Sequence, residues 1–297
     1  MKAVFEAGQE VTPASGFGAI RSTVAETRGI AITTKGAPGS HLNVYVPRHS
    51  ASGALPVILW IHGGGFISSS ADTVKDYAIM LANRGYVVAN LDYSLAPGAR
   101  HPVPVVQANA ALAFLRSHAE EYGGDPENVF VGGDSAGAQI ASEVAAVETS
   151  AQLAASMRIQ PALTSTELRG VILFCGLYDM DTVGSTGFPA LRTYLWAYTG
   201  SRDWTEYPNI DQLSTTRTAT SAYPATFISV GDADPFRTQE AEFADMLTSH
   251  GVPVTSLTWD DTGDHLGHEY QFNFTTPQAE TAFSDTLAFL ASKAADK

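Results

Sequence analysis

The chain contains the stretch Asn128-Val-Phe-Val-Gly-Gly-Asp-Ser-Ala-Gly137, in which an apolar run leads into small residues around a serine. Val129 to Val131 predict a buried strand, and a helical pattern follows the small residues. Only small residues fit two positions before and two after a serine at the tip of such a tight turn, and Gly133 and Gly137 stand there. The stretch therefore matches a nucleophile elbow with Ser135 as the nucleophile, although an ordinary glycine-rich turn produces the same pattern by chance.

Composition narrows the range of functions. The 297 residues are 44% hydrophobic and 16% charged, which is ordinary for a globular protein, and one core domain over residues 1–297 is predicted. The net charge of −14 argues against nucleic-acid binding and against stable association with anionic membranes. No apolar run approaches the ~18 residues that a membrane span requires.

Two features of the sequence bear on the location of the protein. Cys175 is the single cysteine, so an intramolecular disulfide bond is impossible and a buried, inert thiol is expected. The first ten residues lack the apolar segment of a signal peptide. Together these features predict a cytoplasmic protein.

Strand patterns alternate with helical patterns along the chain, which predicts an α/β fold with a mostly parallel central sheet flanked by helices. The predicted strands are at 56–61, 86–91, 170–175, 225–230 and 254–259, after a hairpin at 31–34 and 42–46. The predicted helices are at 74–83, 103–118, 138–155, 240–250 and 278–293. Residues from about 1–28 and 180–220 lack this alternation and are predicted to cover the core as a cap. An exposed edge strand could pair two copies as a homodimer.

A nucleophilic serine needs an imidazole to take its proton and an acid to orient that imidazole. In a strand-elbow-helix architecture these partners follow Ser135 in the order acid, then histidine. The loop after the strand at 225–230 offers Asp232 and Asp234, and the loop after the strand at 254–259 offers His265 and His268. A chance glycine-rich turn would not have both partners in place.

Acyl transfer also needs N–H donors for the negative charge that develops on the carbonyl oxygen. The run Gly63–Gly65 directly follows a predicted central strand, so its backbone N–H groups can approach a substrate oxygen, and the N–H of Ala136 would be a third donor. A flexible loop or a phosphate cradle is the alternative. No phosphate-binding glycine motif continues from these residues.

Together these motifs resemble the HGGG-type α/β-hydrolases, specifically the hormone-sensitive-lipase-like bacterial esterases. The matching stretches, within about residues 55–290, are His62-Gly63-Gly64-Gly65-Phe66, Tyr93-Ser94-Leu95-Ala96-Pro97, Gly124-Asp125-Pro126, Gly133-Asp134-Ser135-Ala136-Gly137 and Asp234-Pro235-Phe236. The resemblance implies an α/β-hydrolase fold and a cap built from the N-terminal arm and the insertion after the sixth core strand. It implies that Ser135 is the nucleophile, that Asp234 orients the base, and that Gly64, Gly65 and Ala136 form the oxyanion hole.

The histidine departs from the family pattern. The family usually has His-Gly-Phe, whereas this chain has His268-Glu269-Tyr270. The glycine before His268 and the aromatic residue two positions after it favour His268 as the base, with His265 as the alternative. Asp232 is predicted to be a turn former. Because the base must be neutral, activity is expected to fall with acid through an apparent pKa near the unperturbed ~6.5.

Phe66, Tyr194 and Trp196 are candidate walls of an apolar substrate pocket, although packing inside the cap accounts for aromatic residues equally well. The predicted function is hydrolysis of small carboxylic esters, with short acyl chains implied by the resemblance, through an acyl-enzyme intermediate. No cofactor and no metal are predicted. The alternatives are amide or peptide hydrolysis, deacylation of sugar or aryl esters, or ligand binding without catalysis, as in a plant hormone receptor that resembles this family.

Overall fold

The computed structural model describes residues 11–13, 15–49, 53–260 and 262–294. These residues form an eight-stranded sheet. Its strands are β1 Val24–Ile32, β2 Ser40–Pro47, β3 Leu55–Ile61, β4 Val87–Asp92, β5 Gly124–Asp134, β6 Leu168–Phe174, β7 Thr226–Ser229 and β8 Val254–Leu257. The strand order across the sheet is β1-β2-β4-β3-β5-β6-β7-β8.

The sheet is mostly parallel, as the alternating strand and helix patterns predict. Strand β2 runs antiparallel to both of its neighbours, and the other five neighbouring pairs are parallel. The predicted hairpin is β1 with β2, and both strands extend beyond the apolar runs that indicated them. The longer pairing includes polar residues on an edge strand, which carry no hydrophobic periodicity.

Register brings the ends of the central strands together. Ile61 at the end of β3 lies beside Gly133 of β5, and Gly133 lies beside Leu173 of β6. Leu173 in turn pairs with Ile228 of β7. The loops that follow these four strands therefore meet at one edge of the sheet, where open α/β sheets bind their ligands.

Helices cover both faces of the sheet. They are α1 Phe17–Ser22, α2 Lys75–Asn83, α3 Val103–His118, α4 Ala136–Thr149, α5 Ala151–Met157, α6 Leu191–Thr199, α7 Ile210–Leu213, α8 Thr215–Thr218, α9 Arg237–Ser249 and α10 Pro277–Lys293. Alternate residues of β3 and β5 face two separate apolar clusters. One cluster includes residues of α3, α4 and α9, and the other includes residues of α2 and α10. The central strands are buried on both sides and therefore read as continuous apolar runs.

The helix predicted at 138–155 is two helices. Helix α4 begins at Ala136 and ends at Thr149, and α5 follows after one extended residue, Ser150. The Ser150 hydroxyl accepts the backbone N–H of Leu153 at 3.3 Å and so caps α5. Apolar residues continue through both helices, which concealed the break. A serine between them was the available signal.

The two segments predicted to form a cap contain different elements. In the N-terminal segment, residues 1–10 and 14 lie outside the described part of the chain, and the remainder contains α1 and the first residues of β1. Thr12 forms an isolated bridge with Asn273. Helices α6, α7 and α8 lie between β6 and β7. Across the described ranges, no helix combines the length and apolar character needed to span a bilayer.

Candidate active site

The elbow is closely packed against the neighbouring backbone. Ser135 has φ 51° and ψ −118°, a conformation that non-glycine residues rarely adopt. A Cβ at Gly133 would lie 2.5 Å from the carbonyl oxygen of Gly137, and a Cβ at Gly137 would overlap the carbonyl oxygen of Ile61. Because backbone atoms occupy the space, both flanking positions exclude a side chain.

The serine is held at the start of a helix. Its N–H donates to the carbonyl of Phe174 at the end of β6, with an N–O distance of 2.8 Å. Helix α4 begins at Ala136, so the positive end of the helix dipole lies directly behind Ser135. The serine is 2% exposed.

Ser135, His268 and Asp234 form a continuous hydrogen-bonded chain. His268 Nε2 lies 2.9 Å from Ser135 Oγ, and His268 Nδ1 lies 2.8 Å from Asp234 Oδ2. Asp234 is fixed from behind by the N–H of Phe236, which donates to Oδ1 at 2.8 Å. A neutral imidazole with its proton on Nδ1 would donate to Asp234 and accept from Ser135. This is the arrangement in which a histidine can take the proton of a serine.

The alternative residues have other contacts. His265 is exposed on the loop that precedes His268. The Asp232 carboxylate accepts the backbone N–H groups of His265 at 3.1 Å and Leu266 at 2.6 Å. Asp232 therefore holds the histidine loop from across the β7–α9 connection, a longer-range role than the local turn expected from its sequence context.

The glycine run after β3 lies against the elbow. Gly64 and Gly65 have φ values of 111° and 58°, which suit glycine. The Gly64 carbonyl accepts the N–H groups of Ile67 and Ser68, each at 3.1 Å, which closes the loop into a turn. The run and Ala136 thus lie at the same sheet edge as Ser135.

Asp134 joins the elbow to this loop. Its Oδ1 accepts the indole N–H of Trp60 at 2.9 Å, and its Oδ2 accepts the N–H of Gly63 at 2.7 Å. Burial raises the pKa of Asp134 well above its usual range, and the nearby charge of Glu269 adds to the shift. The contacts tie the strand that carries Ser135 to the strand that precedes the glycine run.

Glu269 is a buried carboxyl group that the motifs did not single out as functional. Its Oε1 lies 3.8 Å from His268 Nε2, and its side chain is 3% exposed. Its backbone N–H points at the Cys175 sulfur, 3.4 Å away, and its φ is 59°. The departure from His-Gly-Phe at this position was the signal for an unusual residue.

A family model described as alpha/beta hydrolase fold matches residues 58–268. This chain belongs to the alpha/beta hydrolase family. The carboxylesterase NlhH of Mycobacterium tuberculosis is 30% identical to this hydrolase over 253 residues, which cover 80% of this chain and 73% of NlhH. These matches confirm the family expected from the motifs.

Solved structures give the same fold. Esterase B from Lactobacillus rhamnosis has a TM-score of 0.80 at 21% identity, over 93% of this hydrolase and 90% of that chain. A structure described as a bacterial heroin esterase has a TM-score of 0.78 at 25% identity, over 99% of this hydrolase and 91% of that chain. The predicted α/β-hydrolase fold is confirmed.

The charge state of His268 is set by opposing influences. Burial lowers the pKa of the imidazole, but the charge and hydrogen bond of Asp234, followed by the charges of Glu269 and Asp134, raise it, and the net shift is upward. The structure therefore predicts an apparent pKa above the unperturbed ~6.5 that the sequence alone indicates. Two of the three acids that cause the shift, Asp134 and Glu269, are adjacent in sequence to Ser135 and His268.

Two aromatic rings pack against the imidazole of His268. Phe188 and Phe236 meet the His268 ring edge-on, with centroids 5.0 Å and 5.6 Å away, and stack on each other at 4.3 Å. Phe188 comes from the segment between β6 and β7, so sequence reasoning had no means of placing it near His268.

Of the three predicted pocket residues, Tyr194 and Phe66 are buried and Trp196 is exposed. A Cβ at Gly65 would lie 3.1 Å from the ring of Tyr194, so Tyr194 covers the glycine run. Phe66 is buried and stacks on Tyr198 with a centroid distance of 3.9 Å. Trp196 is 49% exposed on the opposite side of α6 from its buried residues, away from the predicted pocket wall.

The atoms at the site that could bind a metal ion are also the atoms that form its hydrogen bonds. Ligand atoms of Cys175, Asp234 and His268 lie within 4.8 Å of one another. A metal ion there would displace the proton between His268 Nδ1 and Asp234 and would remove the chain that leads to Ser135. We therefore assign these atoms to hydrogen bonding, and the absence of a metal stays a prediction.

Proposed function

We propose that this chain hydrolyses small carboxylic esters through an acyl-enzyme intermediate on Ser135, with His268 as general base and Asp234 as the group that orients it. The observation that carries the proposal is the hydrogen-bonded chain from Asp234 through His268 to Ser135, at distances of 2.8 and 2.9 Å. The similarity to a carboxylesterase supports it.

In the first half-reaction, Ser135 Oγ forms a bond to the ester carbonyl carbon while its proton moves to His268 Nε2. Asp234 holds the imidazole in the required tautomer and stabilises the imidazolium. The N–H groups of Gly64, Gly65 and Ala136 would stabilise the carbonyl oxygen as it becomes negative. Loss of one such donor costs about 3–4 kcal/mol in a well-studied protease.

The tetrahedral intermediate then breaks its bond to the alcohol oxygen, and the alcohol leaves with the proton from His268 Nε2. A water molecule attacks the acyl carbon in the second half-reaction and gives a proton to the same nitrogen. The carboxylic acid leaves as that proton returns to Ser135 Oγ. Every proton that moves is supplied by serine or water, so these steps require no cofactor.

The substrate class follows from the rings around the site. Phe188 and Phe236 lie beside His268, and Tyr194 covers the glycine run. Apolar walls with few polar anchors suit an uncharged ester. The family resemblance, and not the rings, is the ground for a short acyl chain. We propose that Phe66 and Tyr194 contribute to these walls, together with a cap formed by the N-terminal arm and the segment between β6 and β7.

Hydrolysis of p-nitrophenyl acetate, butyrate and octanoate tests the proposal. We expect Ser135→Ala and His268→Ala to lose at least about a thousandfold in kcat, as members of a catalytic triad do. His265→Ala is the matched control from the same loop and should change kcat by less than about twofold. Activity that survives in His268→Ala and disappears in His265→Ala would assign the base to His265.

The same assay separates the rival functions. An amide with the same acyl group would be cleaved at a comparable rate by an amidase and far more slowly by an esterase. A wild type that is inert on all three esters and on the amide would favour a binding protein. A homodimer and a cytoplasmic location are further proposals, and they rest on the exposed edges of the sheet and on the single buried cysteine.

A further inference from the structure

Two buried carboxyl groups lie together beside the proposed base. Glu269 is 5% exposed and Asp134 is 2% exposed. A Cβ built on Gly63 would lie 2.5 Å from Asp134 Oδ2 and 2.8 Å from Glu269 Oε1. Both acids therefore press against the same glycine, and Glu269 also approaches His268 Nε2 at 3.8 Å.

Glu269 is an unfavourable residue at this position on structural grounds. Its φ of 59° lies in the left-handed region, which glycine adopts without strain. The backbone conformation alone favours glycine here, which directs attention to what the side chain does at the site itself.

The two acids cannot both be ionised at little cost. Carboxyl groups this close and this buried hold one proton between them. Burial and the charge of Glu269 raise the pKa of Asp134 well above its usual range. Asp134 accepts the N–H groups of Trp60 and Gly63. The pair therefore carries one negative charge beside the imidazole, and Glu269 is the member that approaches His268 Nε2.

We propose that Glu269 is a positioning residue for ester hydrolysis: its buried carboxylate, 3.8 Å from His268 Nε2, is a second acidic partner that stabilises His268 as an imidazolium. The inference rests on the proposed function. Glu269 accepts no proton in this role, because the proton of Ser135 moves to His268 Nε2 and Glu269 acts through its charge alone.

The remaining groups that face His268 are neutral or lie on the Nδ1 side of its ring. Asp234 occupies Nδ1, and the Cys175 thiol lies near both residues. Phe188 and Phe236 cover the open side without charge. Glu240 lies behind Asp234 and next to Cys175, and burial raises its pKa well above the usual range, so it is neutral. Among the described residues, Glu269 is thus the carboxyl group that lies within 4 Å of His268 Nε2.

The pH dependence of kcat/KM for p-nitrophenyl butyrate tests the proposal in three proteins. Glu269→Gln keeps the shape and removes the charge, so the midpoint of the acid limb should fall by about half to one pH unit. The shift is limited because Asp134 ionises once Glu269 is neutral. Asp134→Asn leaves the Glu269 charge in place, so its midpoint should not fall, although kcat decreases because an amide nitrogen cannot accept the N–H of Gly63 or Trp60.

A second readout does not depend on turnover. NMR titration of the His268 imidazole in the same proteins should show the same fall in pKa for Glu269→Gln. If NMR shows this fall in the His268 pKa but the wild-type protein does not hydrolyse esters, the interaction of Glu269 with His268 stands and the proposed function is wrong. An unchanged His268 pKa and an unchanged acid limb in Glu269→Gln would overturn the inference.

Folding is controlled with variants at the same position. Glu269→Gly suits φ 59° and removes the charge, so it should match Glu269→Gln in its acid limb and melt at the wild-type temperature or above. Glu269→Asp keeps a charge, so the midpoint of its acid limb should lie between those of the wild type and Glu269→Gln. If Glu269→Gln unfolds, the pair Glu269→Gly and Glu269→Asp decides the question. A midpoint in Glu269→Gly equal to the wild-type midpoint would again contradict the proposal.

Discussion

The elbow and the histidine loop reach the same point above the sheet by different physical means. At the elbow, Gly133 and Gly137 pack against backbone atoms, and the conformation of Ser135 follows from that crowding. The loop at 265–270 is held by side chains from elsewhere in the chain: Asp232 accepts two of its N–H groups, and Asp234 binds His268. Steric crowding fixes the conformation of the elbow, and hydrogen bonds and charges fix the position of the histidine loop.

The difference predicts how each region tolerates change. Backbone atoms cannot move away from a new side chain without distortion of the strands that carry them, so the elbow should fail completely when it is crowded. Side chains that hold a loop can be replaced singly, so the histidine loop should lose function in separable steps. The following substitutions test that contrast.

The largest expected difference between the two regions is in the stability and activity that remain after a glycine is replaced by alanine. In Gly137→Ala, the new Cβ would overlap the carbonyl oxygen of Ile61, so we expect a loss of about 3 kcal/mol or more in the free energy of unfolding, and no measurable activity. In Gly267→Ala the new Cβ meets nothing within 4 Å, so stability should stay within about 0.5 kcal/mol of wild type. Thermal and urea unfolding, with ester turnover, measure both.

A stable and active Gly137→Ala protein would show that the elbow can rearrange, and the steric half of the contrast would fail. A Gly267→Ala protein that unfolds would show that the histidine loop is as tightly constrained as the elbow.

The next effect is confined to catalysis. Asp234→Asn keeps the shape of the side chain and should leave the melting temperature nearly unchanged. It should lower kcat by about 10⁴-fold, because an amide favours the wrong tautomer of His268. The control is Asp232→Asn, which loses acceptor strength for the N–H groups of His265 and Leu266 and should reduce kcat far less. Equal losses in the two variants would show that both aspartates act only by holding the loop.

The elbow was accessible to sequence reasoning because the residues that respond to its crowding lie within five positions. Gly133, Ser135 and Gly137 carry the information in their types and spacing, although part of the crowding comes from the distant carbonyl of Ile61. Asp234 and His268 were chosen from two pairs by their order and by neighbouring residues such as Pro235. That choice agrees with the contacts of His268 with Asp234 and Ser135 in the structure.

The electrostatic setting of His268 was not accessible in this way. Glu269 is adjacent to His268 and Asp134 is adjacent to Ser135, but the burial of both acids against Gly63 is a property of the fold. The aromatic ring of Phe188 arrives from a segment without strand pattern. Burial and charge depend on such distant contacts, so the direction of the pKa shift required the fold.

The smallest predicted effect is a shift in the pH profile of the wild type. The pKa of His268 is raised, because the negative charges around it outweigh the effect of its burial. Since the base must be neutral, kcat/KM should be high at alkaline pH and should fall as the pH decreases through an apparent pKa above ~6.5. A midpoint at or below that value would contradict the electrostatic half of the contrast. The loss should also reverse when the pH is restored, because protonation of His268 leaves the packed backbone of the elbow unchanged; activity that stays low would show instead that acid disrupts the elbow.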